Sequence, residues 1–418
     1  MLFCMLFNNK KMFNNLKLYP TLIFSLLLIA FFTPLQAKSE PINVTYAGFS
    51  FSSNYIDIET TGKYTNLLLK EKNENGMDII SVSLLKEIKK ARPKSFKISL
   101  DYADITKGSK ESVAMSVSLI NEDYSREYEP ITKTYLNNIV NSYQIIFYDF
   151  DSKKLIAAIP FDTELQFFSN KKLSDNEIIS ELRNFYSKGQ LSSDKSIKGK
   201  INVFYKIREL LDSFNLKRKY KFRIGVTKVI LEDKAKKYIP EKYRNNDVLK
   251  SIFAQQFSSK LALYHSIAQV PYNEGMSIGN AMKLKFVNSD TIYDIALPEP
   301  EFDIVLNIRG FKKVTAAKSD VRSIFLYGSY VKIKVFQKDL NKIYFDEKIK
   351  NASQVEIPNN IKNIDDWRKF YTSTIILFQK FSKNIRNPGE KWAKKAFSKG
   401  SDHNKTLNLL KGVLEKTQ

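Results

Sequence analysis

The sequence predicts an α/β (α+β) fold made of two tandem strand–helix–strand–hairpin–helix modules, with mixed sheets and helices packed on them. Three observations predict it. Segments with period-two alternation interleave with segments whose apolar residues recur at three- and four-residue steps. The order of these segments in the first half recurs in the second. An apolar fraction of 43%, with 30 Phe and 22 Tyr in 418 residues, is enough to build packed cores.

The elements follow in order. Residues 1–37 read as a signal peptide: Lys10, Lys11 and Lys17 precede the apolar run 21–32 (TLIFSLLLIAFF), Pro34 breaks it, and Ala37 supplies a small residue at the expected cut. The run is shorter than the roughly 20 apolar residues that span a bilayer. Residues 42–51 alternate through Ile42, Val44 and Tyr46 as a half-buried strand, and the polar stretch 52–75 reads as a hairpin or loop. Met77, Ile80, Leu84 and Ile88 form one helical face, which Arg92-Pro93 ends. Residues 96–105 and 113–120 read as strands, and 143–150 with 155–161 as a hairpin about the turn 151–154. Ser174 and Glu177 form a capping box for a helix through Ile178, Leu182 and Phe185.

Residues 187–200 form a polar linker, and 201–214 an amphipathic connecting helix. In the second half, 222–231 is a strand and 247–264 a helix with Leu249, Phe253, Phe257, Leu261 and Tyr264 on one face. Residues 302–311 (FDIVLNIRGF) mirror 96–105, since both begin Phe-x-Ile-x-Leu. Residues 324–336 and 343–349 flank the turn 338–341, and Asn363-Ile-Asp-Asp366 caps a long helix through Trp367, Phe370, Ile375 and Phe378. The expected organisation is therefore a signal peptide (1–37), a first module (38–186), a linker with connecting helix (187–220), a second module (221–381) and a basic carboxyl-terminal tail (382–418).

The strand opener, packed helix, strand beginning Phe-Asp-Ile-Val-Leu, hairpin and terminal helix of residues 222–380 resemble small α/β domains of bacterial envelope proteins. These are the curli-secretion lipoprotein, auxiliary lipoproteins of lipid-transport systems and the amino-terminal domain of the Tol system's periplasmic propeller protein. The resemblance implies an envelope location and carries no functional residue over. The chain departs from the lipoproteins in lacking a lipidated cysteine after the apolar run.

Charge and cysteine content narrow the function classes. The only cysteine, Cys4, lies in the segment to be removed, so the exported chain has no disulfide, thiolate metal site or cysteine nucleophile. The net charge of +23 is unevenly placed: residues 38–186 hold 19 basic and 21 acidic side chains, a net of −2, whereas residues 187–418 hold 45 and 23, a net of +22. Such asymmetry points to an anionic partner for the second half alone.

Four basic clusters are the candidate anion-binding residues: Lys217, Arg218 and Lys219; Lys234, Lys236 and Lys237; Lys312 and Lys313; and Lys391, Lys394 and Lys395. Tyr220, Tyr238 and Trp392 stand beside three of them, as stacking or interfacial groups would. The expected partners are anionic lipid headgroups, surface glycans or an envelope protein, with peripheral membrane contact, no transmembrane segment in the exported chain, and nucleic acid a weaker candidate. Gly275-Met-Ser277-Ile-Gly279 matches the G-x-S-x-G nucleophile elbow, whose serine is exposed between a strand and a helix. Residues 282–286 (MKLKF) alternate like a strand instead, and the only later histidine is His403. His265 reads as a helix-end residue, and the acid pairs Asp101/Asp104 and Asp149/Asp151 as turn or strand-end groups. No metal site and no nucleotide or other cofactor is expected. The resulting expectation is an exported, periplasmic or secreted protein of the cell envelope that binds rather than catalyses. A secreted serine hydrolase using Ser277 and His403, and a secreted host-directed factor, are the alternatives.

Overall fold

Long strands with alternating burial dominate the architecture. The structure, a computed structural model, describes residues 40–52, 62–101, 112–129, 132–189, 202–244, 247–273, 280–287, 289, 292–361, 364–388, 391–398 and 400–418. The signal segment 1–37, with its cut after Ala37, and most of the linker 187–200 lie outside the described residues, so these expectations meet no geometry.

In chain order the first elements are β1 (Ile42–Ser52), α1 (Lys63–Leu69), α2 (Ile79–Ile88), β2 (Phe96–Ser99), β3 (Val113–Glu129), β4 (Thr134–Asp149), β5 (Lys154–Ser169), α3 (Asp175–Lys188) and α4 (Tyr205–Ser213). There follow β6 (Ile224–Leu231), α5 (Asp233–Lys236), α6 (Glu241–Arg244), α7 (Val248–His265), β7 (Ala281–Phe286), β8 (Ile292–Ala296), β9 (Phe302–Lys318), β10 (Arg322–Gln337), β11 (Lys342–Pro358), α8 (Asp366–Arg386), α9 (Lys391–Ala396) and α10 (His403–Lys416).

The two halves use one topology. In the first, β1 runs parallel to β3, and β3–β4–β5 form an antiparallel meander. In the second, β6 runs parallel to β9, and β9–β10–β11 form the same meander. Each half places helices on one face of its sheet and follows the meander with a side-chain-capped helix. Ser174 and Glu177 make the capping box of α3, and Asp365 accepts the Arg368 amide at the start of α8.

The cores follow from the alternation. Val44, Met115, Val117, Ile145 and Phe147 on the first sheet meet α1–α4. Ile304, Leu306, Ile308, Val331 and Ile333 on the second meet α7–α10. The first sheet is covered on its other face as well, where Ala114, Ile146, Tyr148 and Leu155 pack against Met282, Leu284, Phe286 and Ile295 of the β7–β8 hairpin. Strand β7 also pairs with β1, and Ala296 of β8 pairs with Lys154 of β5, so six strands close into a ring. The sheets meet at Gln269, which bridges Ala158 of β5 and Ile224 of β6. Gly225 permits that approach: a Cβ there would lie 2.9 Å from the Val270 carbonyl oxygen.

Several expectations need correction. The counterpart of Phe302–Lys318 is Val113–Glu129, not 96–105; the shared Phe-x-Ile-x-Leu opener belongs on one side to the four-residue edge strand β2. The polar stretch 52–75 contains helix α1, whose first amides are capped by Glu122 of β3, at 2.7 Å from Tyr64 N and 2.9 Å from Thr65 N. A cap supplied by a distant strand leaves no local signal. The cap of α8 is Asp365, while Asn363 lies outside the described residues. Residues 382–418, expected as a tail, hold the end of α8 and helices α9 and α10. Leu407, Leu410, Val413 and Leu414 are buried in the second core, and the Ala268 amide donates to the Thr417 carbonyl. The connecting helix α4 likewise buries Ile207, Leu210 and Leu211 in the first core instead of standing between modules.

Candidate functional site

The uncovered face of the second sheet is where the basic residues gather. The side chains that alternate with its core positions are Lys228 on β6, Arg309 and Lys312 on β9, Lys332 and Lys334 on β10, and Lys348 and Lys350 on β11. Period two sets them about 7 Å apart along a strand, and the ladder sets neighbours about 5 Å apart across it. Lys332 and Lys348 are directly paired partners. Like charges directly opposite one another oppose sheet formation, and here Asp346 offsets the pair from 2.8 Å of Lys332 Nζ. Glu232 accepts from Asn307 and lies 3.9 Å from Arg309. Asp303, at the sheet's other end, has its carboxyl pushed above the usual range by burial. Cations thus outnumber carboxylates on this surface, even with Arg322 and Glu356 paired at 2.5 Å toward the β9–β10 turn.

The clusters singled out from sequence fall differently. Lys217, Arg218 and Lys219 are exposed after α4, but the neighbouring Tyr220 is buried, and its hydroxyl donates to the Asn215 carbonyl. Lys234, Lys236 and Lys237 are exposed on and just after α5, with Lys236 paired to Asp233 at 3.0 Å. Lys234 lies over Gly310, two residues from Lys312, which brings α5 to the margin of the cationic face. Tyr238 is turned edge-on to Phe311 and Phe370. Lys312 belongs to the open face, whereas Lys313 points to the helix side, 2.7 Å from Asp366 and 4.5 Å from the centroid of the Phe325 ring. Lys391, Lys394 and Lys395 are exposed on α9, and Trp392 packs against the second core. The aromatic neighbours are packing residues, and the four clusters stay on separate elements. The residues missed are Lys228, Arg309, Lys332, Lys334, Lys348 and Lys350; those on β10 and β11 carried a readable signal, lysines at every second position in Lys332-Ile-Lys334 and Lys348-Ile-Lys350.

The seam between the halves is polar. Asp162 of β5 accepts from Ser142, Gln256, Ser259 and Lys260, the last at 2.9 Å. Its carbonyl accepts Lys206 Nζ at 3.1 Å, and burial holds the Lys206 ammonium below its usual range. A cavity of about 740 Å³ opens beside this cluster, reaching Arg386 and Lys411. His265 ends α7, its Nε2 lies 2.9 Å from the Ser382 carbonyl oxygen, and burial lowers its pKa to about 4. His403 opens α10 with its ring 5.8 Å from Phe397, and Ser277 with its glycines lies outside the described residues. Asp149 accepts from the Ser152 amide and hydroxyl, the turn role the sequence suggested for Asp151, and Asp104 lies outside the described residues. Among the described residues no group of three His, Asp or Glu side chains is placed to hold a metal, and no helix is long and apolar enough to cross a membrane.

No protein-family model matches the sequence, and no curated protein does. Among solved structures, the chain is similar to protein XCC0632 from Xanthomonas campestris, at 9% identity over 38% of this chain and 81% of that one, with a TM-score of 0.22. It is similar to the hypothetical protein CT253 from Chlamydia trachomatis, at 14% identity over 40% of this chain and 93% of that one, TM-score 0.24. A minor lipoprotein from Acinetobacter baumannii matches at 10% identity over 42% of this chain and 96% of that one, TM-score 0.20. The chain thus bears a weak structural resemblance to such proteins, which at these TM-scores assigns it no activity.

Proposed function

We propose that the chain is an exported cell-envelope protein that acts by binding, with its basic second half engaging an anionic envelope component through the open face of the second sheet. The observation that carries this is the excess of cations over carboxylates on β6, β9, β10 and β11, with Lys332 and Lys348 placed directly opposite each other. A folded sheet bears that repulsion at a cost, and an anionic partner removes it. The amino-terminal signal pattern and the charge difference between residues 38–186 and 187–418 support the same reading. In it, the near-neutral first module carries protein contacts and the basic second module carries the anion surface.

The test is salt-dependent retention on an immobilised polyanion, with heparin as the probe. Replacing Lys332, Lys334, Lys348 and Lys350 together by glutamine should weaken binding at least about tenfold and flatten its salt dependence, because each lost cation removes a released counterion. The triple change Lys217→Gln, Arg218→Gln, Lys219→Gln should have a smaller effect. Equal binding by the quadruple variant and the unaltered protein, or binding indifferent to salt, would sink the proposal.

A further inference from the structure

The two halves share a topology but differ at one turn. In the first meander, β4 and β5 are joined through Asp149 and residues 151–154, a polar turn that Asp149 itself braces. The equivalent turn of the second meander joins β10 to β11, and it is amphipathic. Leu340 at its tip is 63% exposed and Ile343, just inside β11, is 53% exposed. Ile343 is the register partner of Phe336, so the apolar patch continues onto the open sheet face. Lysines alternate with these residues: Lys334, Lys338 and Lys342. Lys334 Nζ lies 4.9 Å from the Phe336 ring centroid, and Lys342 Nζ lies 4.9 Å from that of Tyr344. Asp339 at the tip, Asp303 on β9 and Glu299 just before it are acidic groups nearby; the charge of Lys338 reaches Asp303.

An exposed leucine and isoleucine framed by lysines do not suit a soluble polyanion, which has nothing apolar to offer them. They suit an interface whose outer layer is anionic and whose next layer is hydrocarbon. Lysine stems lie along apolar surface while their ammonium groups stay with phosphates, and leucine and isoleucine beyond them enter the acyl boundary. The cationic lattice of the sheet runs up to this tip, so one surface supplies both terms.

We propose that the β10–β11 hairpin tip inserts Leu340 and Ile343 into an anionic phospholipid surface, with Lys334, Lys338 and Lys342 at the headgroup level. This rests on the anion-binding reading of the open face and names its partner.

The experiment uses the full chain carrying Cys4→Ser, so that a single introduced cysteine takes an environment-sensitive nitrobenzoxadiazole label. The label is placed at Leu340→Cys or, as a control, at Val321→Cys in the β9–β10 turn at the sheet's other end, where Val321 is 76% exposed. The probe is vesicles of phosphatidylglycerol mixed with phosphatidylcholine. The label at 340 should shift to the blue and be quenched by nitroxide-bearing lipid, and the label at 321 should do neither. In the unlabelled chain, the pair Leu340→Ser and Ile343→Ser should weaken vesicle binding at least about tenfold while leaving heparin retention unchanged, since the burial it removes is available only in lipid. Vesicle binding with the label at 340 still in water, or binding untouched by the serine pair, overturns the insertion alone. Absence of heparin retention by the unaltered chain overturns the underlying reading with it.

Discussion

The two sheets are alike in connection and opposite in exposure. Both place a parallel strand beside a three-stranded meander, with strands of 16 or 17 residues. The first is covered on both faces, by helices α1–α4 on one and by the β7–β8 hairpin on the other, while α7 closes the seam above β5. The second is covered on one face. The consequence is visible in corresponding strands: Ile146 on β4 is fully buried, whereas Lys332 on β10, on the corresponding face, is a half-buried cation. What a face meets, and not the strand order, decides its chemistry. Part of the excess charge of the second half occupies the face that no described residue covers.

The contrast is broken most sharply by exchanging the two chemistries. Ile146→Lys buries an unpaired ammonium and should cost on the order of 5 kcal/mol, or prevent folding. Lys332→Ile should change stability by less than about 1 kcal/mol, because the part-buried ion pair it removes is offset by the repulsion it relieves. Urea unfolding of both variants reads this directly; similar costs for the two would show that the faces do not differ as described.

Next in size is the joint that holds α7 over the first sheet. Asp162→Ala takes the carboxylate from the part-buried Lys260 and leaves Gln256 and Ser259 with only their bonds to Ser142 and the Gln256 carbonyl, and should cost about 3–5 kcal/mol. The double change Asp162→Leu, Lys260→Met should recover part of that loss, since it leaves no uncompensated charge. A single variant as stable as the double would argue that the cluster contributes nothing to the seam.

A further expected effect is on pH dependence and concerns the carboxyl-terminal end of the same helix. His265 is held neutral in the folded chain, with a pKa of about 4 set first by burial and opposed by its bond to Ser382, against an ordinary value near 6.5. As pH falls below 6.5 the unfolded chain takes up a proton that the folded chain does not. Stability therefore declines between pH 6.5 and 4 and levels off below, by about 3 kcal/mol in total. In His265→Asn that component should be absent, so the difference in unfolding free energy between the two proteins should vary with pH across this window. A constant difference would contradict the assignment.

How much was legible follows from where each signal resides. Helices with period 3.6 were readable: Ile178, Leu182 and Phe185 with the Ser174 box, and Leu249 through Leu261 on α7, whose Asp247 makes no side-chain cap. The hairpin turns at 151–154 and 338–341 were readable because polar turn residues interrupt apolar alternation. The outer halves of β3 and β4 were not. Residues 121–129 (NEDYSREYE) look like loop, yet they pair in register with 134–142 because the partner strand is there to hold them. Helix α1 was hidden for the same reason, its cap arriving from Glu122, well over fifty residues away. The cationic face was half-legible: its lysines alternate in the sequence, but contiguous runs such as Lys217-Arg-Lys219 draw attention first.

The sequence alone determined the class of fold, the alternation that builds two cores, the absence of cysteine beyond Cys4 and the placing of positive charge in the second half. These are properties of composition and of local period, and both are written residue by residue. Only the tertiary structure decided that β7 and β8, encoded between the helix and strands of the second half, leave it to cover the first sheet. That transfer makes one sheet a closed, apolar ring and leaves the other with an open cationic face. The physical reason is that coverage is a relation between distant segments. A strand's own residues state which side is apolar, and the partner that arrives decides which polar side stays in water.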